Sequence, residues 1–153
     1  KDLLMSLEKF SKDNNLKQQE TSSDEINNLF NIAKRDLNDA IAGKDTLSED
    51  WQFGILYNSA LKLCTILLRA QGLRASSIGH HRITVEAVPH ILGPDKNRYA
   101  KYLDSCRVKR NKVEYDMVGL VSDGDVEELL EFTQNFLKEV SEWAKLKRPD
   151  LIK

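Results

Sequence analysis

Apolar residues recur along most of this chain at steps of three and four, the spacing of helices that bury one face. The fullest case is Ile26, Leu29, Phe30, Ala33, Leu37, Ala40 and Ile41. Ser22-Ser23-Asp24-Glu25 precedes it and reads as a capping box, the Ser22 hydroxyl and Glu25 carboxylate serving orphan amides. Gly43 closes this helix, which the spacing puts at 22–43. A third pattern covers 48–72, with Thr46 and Ser48 as candidate caps and Gly72 as its stop. Its second half, Ala60 to Leu68, is apolar on most sides, as expected of a helix touched by neighbours all round.

A short helix over 80–92 is expected to kink at Pro89, and Gly93-Pro94 opens a longer one over 94–116. The last helix spans 122–148. Asp123, Asp125, Glu127 and Glu128 load its first turns, Lys145, Lys147 and Arg148 crowd its end, and Pro149 stops it. Leu3, Leu4, Leu7 and Phe10 give only a weakly patterned N-terminal helix within 1–20. There is no internal repeat, no low-complexity run and no strand-like alternation. The pattern predicts an all-α chain: an up-and-down four-helix bundle with additional short helices.

Length and composition narrow this little further. The 153 residues make one domain, 41% hydrophobic and 31% charged, with seven Gly and three Pro. No apolar stretch approaches the roughly 20 residues that span a bilayer, so no membrane partner is expected. Lys1–Phe10 lacks the pattern of a targeting peptide. Cys64 and Cys106 sit inside apolar helical patterns, outside any metal-ligand spacing. They read as a buried, reduced pair in a cytoplasmic protein, without metal or cofactor.

Charge is more telling. The net value of −1 hides a middle stretch, Arg69 to Lys112, with ten Lys/Arg against Glu86, Asp95 and Asp104. From Val113 onward the balance turns acidic. A basic middle suits an anionic partner, although charge runs are also simply solvated helix faces. Across its end, Tyr99, Leu103, Cys106, Arg110, Val113 and Met117 share one helical stripe, with Arg110 at a core-like position. Its guanidinium must find a partner there, snorkel to water, or pair with Glu114 four residues on. His81 and Arg82 at a helix start, with Arg74 nearby, form a candidate phosphate site; alternatively a histidine caps that helix and Arg82 is solvated. Tyr99 and Tyr102 lie at core spacing and read as packing. Nucleophile elbows, glycine phosphate loops and the H-E-x-x-H pattern are all missing from the sequence.

Four short motifs occur in order: Tyr57-Asn58-Ser59-Ala60, Gln71-Gly72-Leu73-Arg74, Gly79-His80-His81-Arg82, and Arg107-Val108-Lys109-Arg110-Asn111-Lys112-Val113-Glu114-Tyr115-Asp116. Together, over about Trp51 to Trp143, they resemble the HEPN (higher eukaryotes and prokaryotes nucleotide-binding) domain. The resemblance implies a four-helix bundle that commonly dimerises. It also implies a signature near the end of the third bundle helix: Arg, a polar residue, then His. In members that are metal-independent endoribonucleases, Arg and His of two subunits face each other. Such proteins occur in antiviral defence or in toxin–antitoxin pairs with a nucleotidyltransferase-type antitoxin partner. Mapped here, Arg110 is the signature Arg, Asn111 the polar residue, and Tyr115 stands where His is expected. This R-N-x3-Y form looks like a subgroup of the family. Tyrosine, with a pKa of about 10, is a poor base at neutral pH. On a straight helix Arg110 and Tyr115 also point about 140° apart, so they meet only if the helix bends or a second subunit contributes one of them.

The expectation is a HEPN-like homodimer that binds RNA or a nucleotide. Arg110, Asn111 and Tyr115 are its candidate catalytic groups; Arg74, His81, Arg82, Arg107 and Lys109 are its candidate binding groups. The alternative is a non-catalytic protein–protein interaction or dimerisation module, because Arg and Tyr also anchor interfaces.

Overall fold

The computed structural model describes residues 2–76, 79–115 and 118–153, apart from the side chains of Glu114 and Tyr115. Its helices are α1 (Asp2–Asp13), α2 (Ser23–Ala42), α3 (Glu49–Ala70), α4 (His80–Glu86), α5 (Val88–Leu92), α6 (Asn97–Tyr115) and α7 (Asp123–Lys147). The long helices α2, α3, α6 and α7 form an all-α bundle with short helices added, as the periodicity predicts.

Local chemistry accounts for most boundaries. Ser22, Ser48 and Ser122 each sit in extended backbone and accept a hydrogen bond from an amide three residues on, starting α2, α3 and α7. Only at α7 is the capping box reciprocal, Asp125 accepting from the Ser122 amide. At α2 the Glu25 carboxylate instead accepts from the Thr21 hydroxyl at 2.5 Å, so the second half of the expected box is not made. Ala87 divides α4 from α5, and Pro89 sits in the first turn of α5, where a missing amide costs nothing. Gly93 then takes φ +125°, a conformation closed to side chains, and lets Pro94–Lys96 make a single 3-10 turn before α6.

The apolar half of α3 is the centre of the bundle. It packs on α2, α6 and α7, and Leu56, Ala60, Leu63, Ile66 and Leu67 are almost wholly buried. By length and apolarity alone α3 could cross a membrane, contrary to the expectation from sequence, yet two-thirds of its most apolar window is buried inside the bundle. Cys64 and Cys106 are free and buried against this core. Burial pushes both thiols up, Cys106 to about 11. On α2, Ile41 departs from the predicted face and is exposed, while Asp36 is buried in its place beside α3.

Two short strands, β1 (Lys17–Gln18) and β2 (Leu73–Arg74), were not legible in the sequence. They pair antiparallel, Lys17 with Arg74 and Gln18 with Leu73, and fasten the N-terminal segment to the end of α3. At the same end, Arg148 donates from Nη1 to the Ala70 carbonyl at 2.6 Å, serving an orphan acceptor of α3. Helix α1 docks on α5, with Phe10 stacked on the His90 ring at 4.5 Å and Ser6 Oγ 2.5 Å from His90 Nδ1.

Candidate functional site

Arg110 lies on the last turns of α6, facing α3. It is half-buried, and its guanidinium carbon is 5.5 Å from the centroid of the Tyr57 ring. Tyr57 itself is 1% exposed, on the inner face of α3. A guanidinium over an aromatic face is attracted by the ring quadrupole, by about 2 kcal/mol when desolvated. The core-like position of Arg110 is thus met, in part, by a ring from the neighbouring helix. The Tyr57 hydroxyl is buried and takes no hydrogen bond among the described residues. Burial is the main reason its proton is held far more tightly than usual.

Arg110 also shares in the electrostatics of a histidine on α4. His81, half-buried on α4, has its pKa lowered first by burial and then by the charges of His80, Arg110, Lys62 and Arg107. Burial and the positive charges of Lys62 on α3 and of Arg107 and Arg110 on α6 thus make this imidazole hold its proton less tightly than usual. Lys62, one position outside the buried face of α3, was not picked out from the sequence. Its only signal was a lone lysine in an apolar run. Arg107 also donates from Nε to Asp104 at 2.9 Å, a same-helix pair that steadies its side chain.

Arg110 also borders a cavity of about 560 Å³ between α2, α3 and α6. Asp36, Asp50, Trp51, Gly54, Asn58 and Arg110 are among the residues around it. Both oxygens of Asp36 are engaged: Oδ1 accepts from Nε and Nη2 of Arg35, and Oδ2 accepts from Asn58 Nδ2 at 2.6 Å. Asp50 differs. Its Oδ2 accepts from the Gly119 amide at 3.1 Å, while its Oδ1 is buried and takes no hydrogen bond among the described residues. Trp51 is 67% exposed. None of these cavity residues except Arg110 stood out in the sequence as a site residue. An isolated Trp outside the apolar stripe was the available clue.

The remaining candidates are dispersed. Lys109 forms an ion pair with Asp125 at 2.9 Å and so braces the capping box of α7. Arg82 turns along α4 to Glu86, also at 2.9 Å. Arg74 is exposed in β2. Arg82 and Arg74 are both exposed, while the charges weighing most on His81 include those of Arg110, Lys62 and Arg107. Gly79, at φ +65°, occupies the N-cap of α4, so the residue at that position brings no side chain to cap the helix. Asn111 is half-buried beside Arg110 on α6. Tyr115 ends α6, but its side chain lies outside the described residues, as does all of Asp116 and Met117. Tyr99 packs edge-on against Phe132 and Phe136 and donates from its hydroxyl to Glu139 at 2.7 Å; Tyr102 leans on Phe132. Both are packing groups. No cluster of three or more metal-ligating side chains occurs among the described residues.

Comparison of the chain with protein-family models, with curated proteins and with solved structures returned no match.

Proposed function

We propose that this chain is a HEPN-like domain that acts as a cytoplasmic homodimer and binds single-stranded RNA through its basic cluster. The observation that carries the reading is Arg110, half-buried against the Tyr57 ring at the α3–α6 contact, with Arg107 on the same helix and Lys62 on α3 adding their positive charge to its own at the half-buried His81. Several cations around one partly desolvated position repel one another, and a phosphate relieves that repulsion. The same groups suit metal-independent endoribonucleolysis. His81 accepts the proton of an attacking 2′-hydroxyl as the 2′-O–P bond forms; the P–O5′ bond breaks to leave a 2′,3′-cyclic phosphate, and the departing 5′-oxygen takes a proton from water; Arg110 stabilises the charge that develops on the non-bridging phosphate oxygens, and Asn111 orients the phosphate. This assigns the proton to His81, since Tyr115 is a poor base.

The test is RNA binding across a salt series, together with incubation of labelled single-stranded RNA in EDTA. Binding should weaken linearly in log[salt], and each cation removed from the cluster should reduce the slope by about 0.7. Cleavage in EDTA that disappears in Arg110→Ala supports the nuclease, and salt-sensitive binding without cleavage leaves a binding protein. Absence of salt-sensitive binding refutes the RNA reading. A second reading, an interaction module, is favoured by the exposed apolar side chains of Trp51, Val108 and Val118. A parent protein that binds no RNA, with a dimer that dissociates in Arg110→Ala, would establish it.

A further inference from the structure

We infer that the open cavity between α2, α3 and α6, with the apolar side chains at its mouth, is a docking surface for a basic, amphipathic peptide segment of a partner protein. The inference stands whether or not the chain binds RNA.

Exposed apolar side chains gather at this mouth. Trp51 is 67% exposed and Val118 92%. Both lie beside Asp50: Trp51 follows it in the chain, and Gly119, next after Val118, donates its amide to Asp50 Oδ2 at 3.1 Å. The half-buried Ile55 and Val113 border the same cavity from α3 and α6. Adjoining apolar groups left in water mark interaction surfaces, and a protruding Trp is a common anchor of them. Gly54, also on the cavity wall, leaves room for an incoming side chain. A Cβ built there would meet nothing within 4 Å, so packing within the chain does not require glycine, which is unfavourable in mid-helix.

Charge selects the partner. From Asp36 to Asp50 the chain carries Asp36, Asp39, Asp45, Glu49 and Asp50 against Lys44 alone. Asp36 is satisfied by Arg35 and Asn58. Asp39, Asp45 and Glu49 are exposed and form no ion pair among the described residues. This segment runs from the end of α2 into the first turn of α3 and leads directly into Trp51. The α6 wall instead holds Arg110, against the Tyr57 ring, with the exposed Lys112 beyond it. A helical ligand fits by laying its lysines or arginines along the α2–α3 side and an apolar side chain into the cavity. The same carboxylates repel a nucleic-acid backbone, so this face suits a peptide rather than RNA.

The test uses two synthetic peptides of about 12 residues, with leucines at helical spacing and either lysine or glutamate at the polar positions. Binding of each to the full chain is read by fluorescence anisotropy. The lysine peptide should bind about tenfold more tightly than the glutamate peptide, and the margin should shrink as salt is added. Trp51→Ala, a change at an exposed position, should weaken the lysine peptide about tenfold. Gly54→Leu, which fills the cavity while improving helix propensity, should do the same without removing any charge. Asp45→Lys combined with Glu49→Lys should reverse the preference between the peptides. Failure to bind either peptide, or equal affinity for both, overturns the inference. Binding of the lysine peptide that survives both Trp51→Ala and Gly54→Leu also overturns it, because the peptide then sits elsewhere. A parent homodimer that dissociates in Trp51→Ala, read by sedimentation, would assign this face to a second copy and overturn it as well.

Discussion

Replacing Tyr57 by phenylalanine removes a single oxygen from the centre of the molecule and tests how Arg110 is held. Tyr57 is 1% exposed, its hydroxyl has no hydrogen-bond partner among the described residues, and its ring lies 5.5 Å from the Arg110 guanidinium carbon. Burying a hydroxyl without a partner costs about 1–3 kcal/mol, and phenylalanine keeps both the shape and the aromatic face. Tyr57→Phe should therefore stabilise the protein by about 1 kcal/mol, or raise Tm by about 2–4 °C for a domain of this size. Urea unfolding gives the free energy directly, provided the slope m is unchanged. Tyr57→Leu is the companion variant. It removes the ring under Arg110 and should be destabilising, with a further loss of RNA affinity as the guanidinium becomes less well ordered. A Tyr57→Phe protein less stable than the parent by 1 kcal/mol or more would show that the hydroxyl is satisfied, and that Arg110 is held by something other than the ring face.

Two other predictions concern stability. Burial lowers the pKa of His90 below its ordinary 6.5, and His81 is shifted in the same direction. Each imidazole thus binds its proton more readily in the unfolded chain, so stability is complete above about pH 6.5 and falls as pH drops through 6.5 to the lowered folded-state pKa values. Chemical denaturation from pH 7.5 to 5 should show this decline. His90→Gln should make it shallower; an unchanged pH profile in that variant would remove His90 as a cause. Asp125→Ala breaks both the capping box of α7 and the ion pair with Lys109, and should cost about 1–2 kcal/mol. Lys109→Ala should cost less than about 1 kcal/mol, because the pair is partly exposed, and should change RNA affinity little. A large loss of RNA binding in Lys109→Ala would return that lysine to the site.

The helices were legible in the sequence because the features that make them are local. Ser48 and Ser122 cap their own helices, Pro94 and Gly93 punctuate the approach to α6, and the Leu103–Cys106 stripe is written at helical spacing. The apolar surroundings of Leu63 and Leu67 likewise announce a central helix before any packing is known. Where local chemistry offered two equivalent partners, sequence went astray: Glu25 was near enough to the start of α2 to complete a box, and it bonded Thr21 instead.

The candidate site depended on distances between helices, which no local pattern encodes. Arg110 and Lys109 are adjacent in the sequence, yet about 100° of helical rotation sends one toward Tyr57 and His81 and the other to Asp125. Arg82 and His81 are adjacent too, and rotation divides them between Glu86 and the cluster. Asp36, Asp50 and Trp51 read as ordinary polar and edge positions until α2, α3 and α6 enclose a cavity among them. The sequence by itself determined that the chain makes an all-α bundle around α3, and that Arg110 falls in an apolar stripe, where it would find a partner, snorkel to water or pair with Glu114. Tertiary structure decided its neighbours, because the angle and register at which helices pack select the side chains that meet, and those come from residues far apart along the chain.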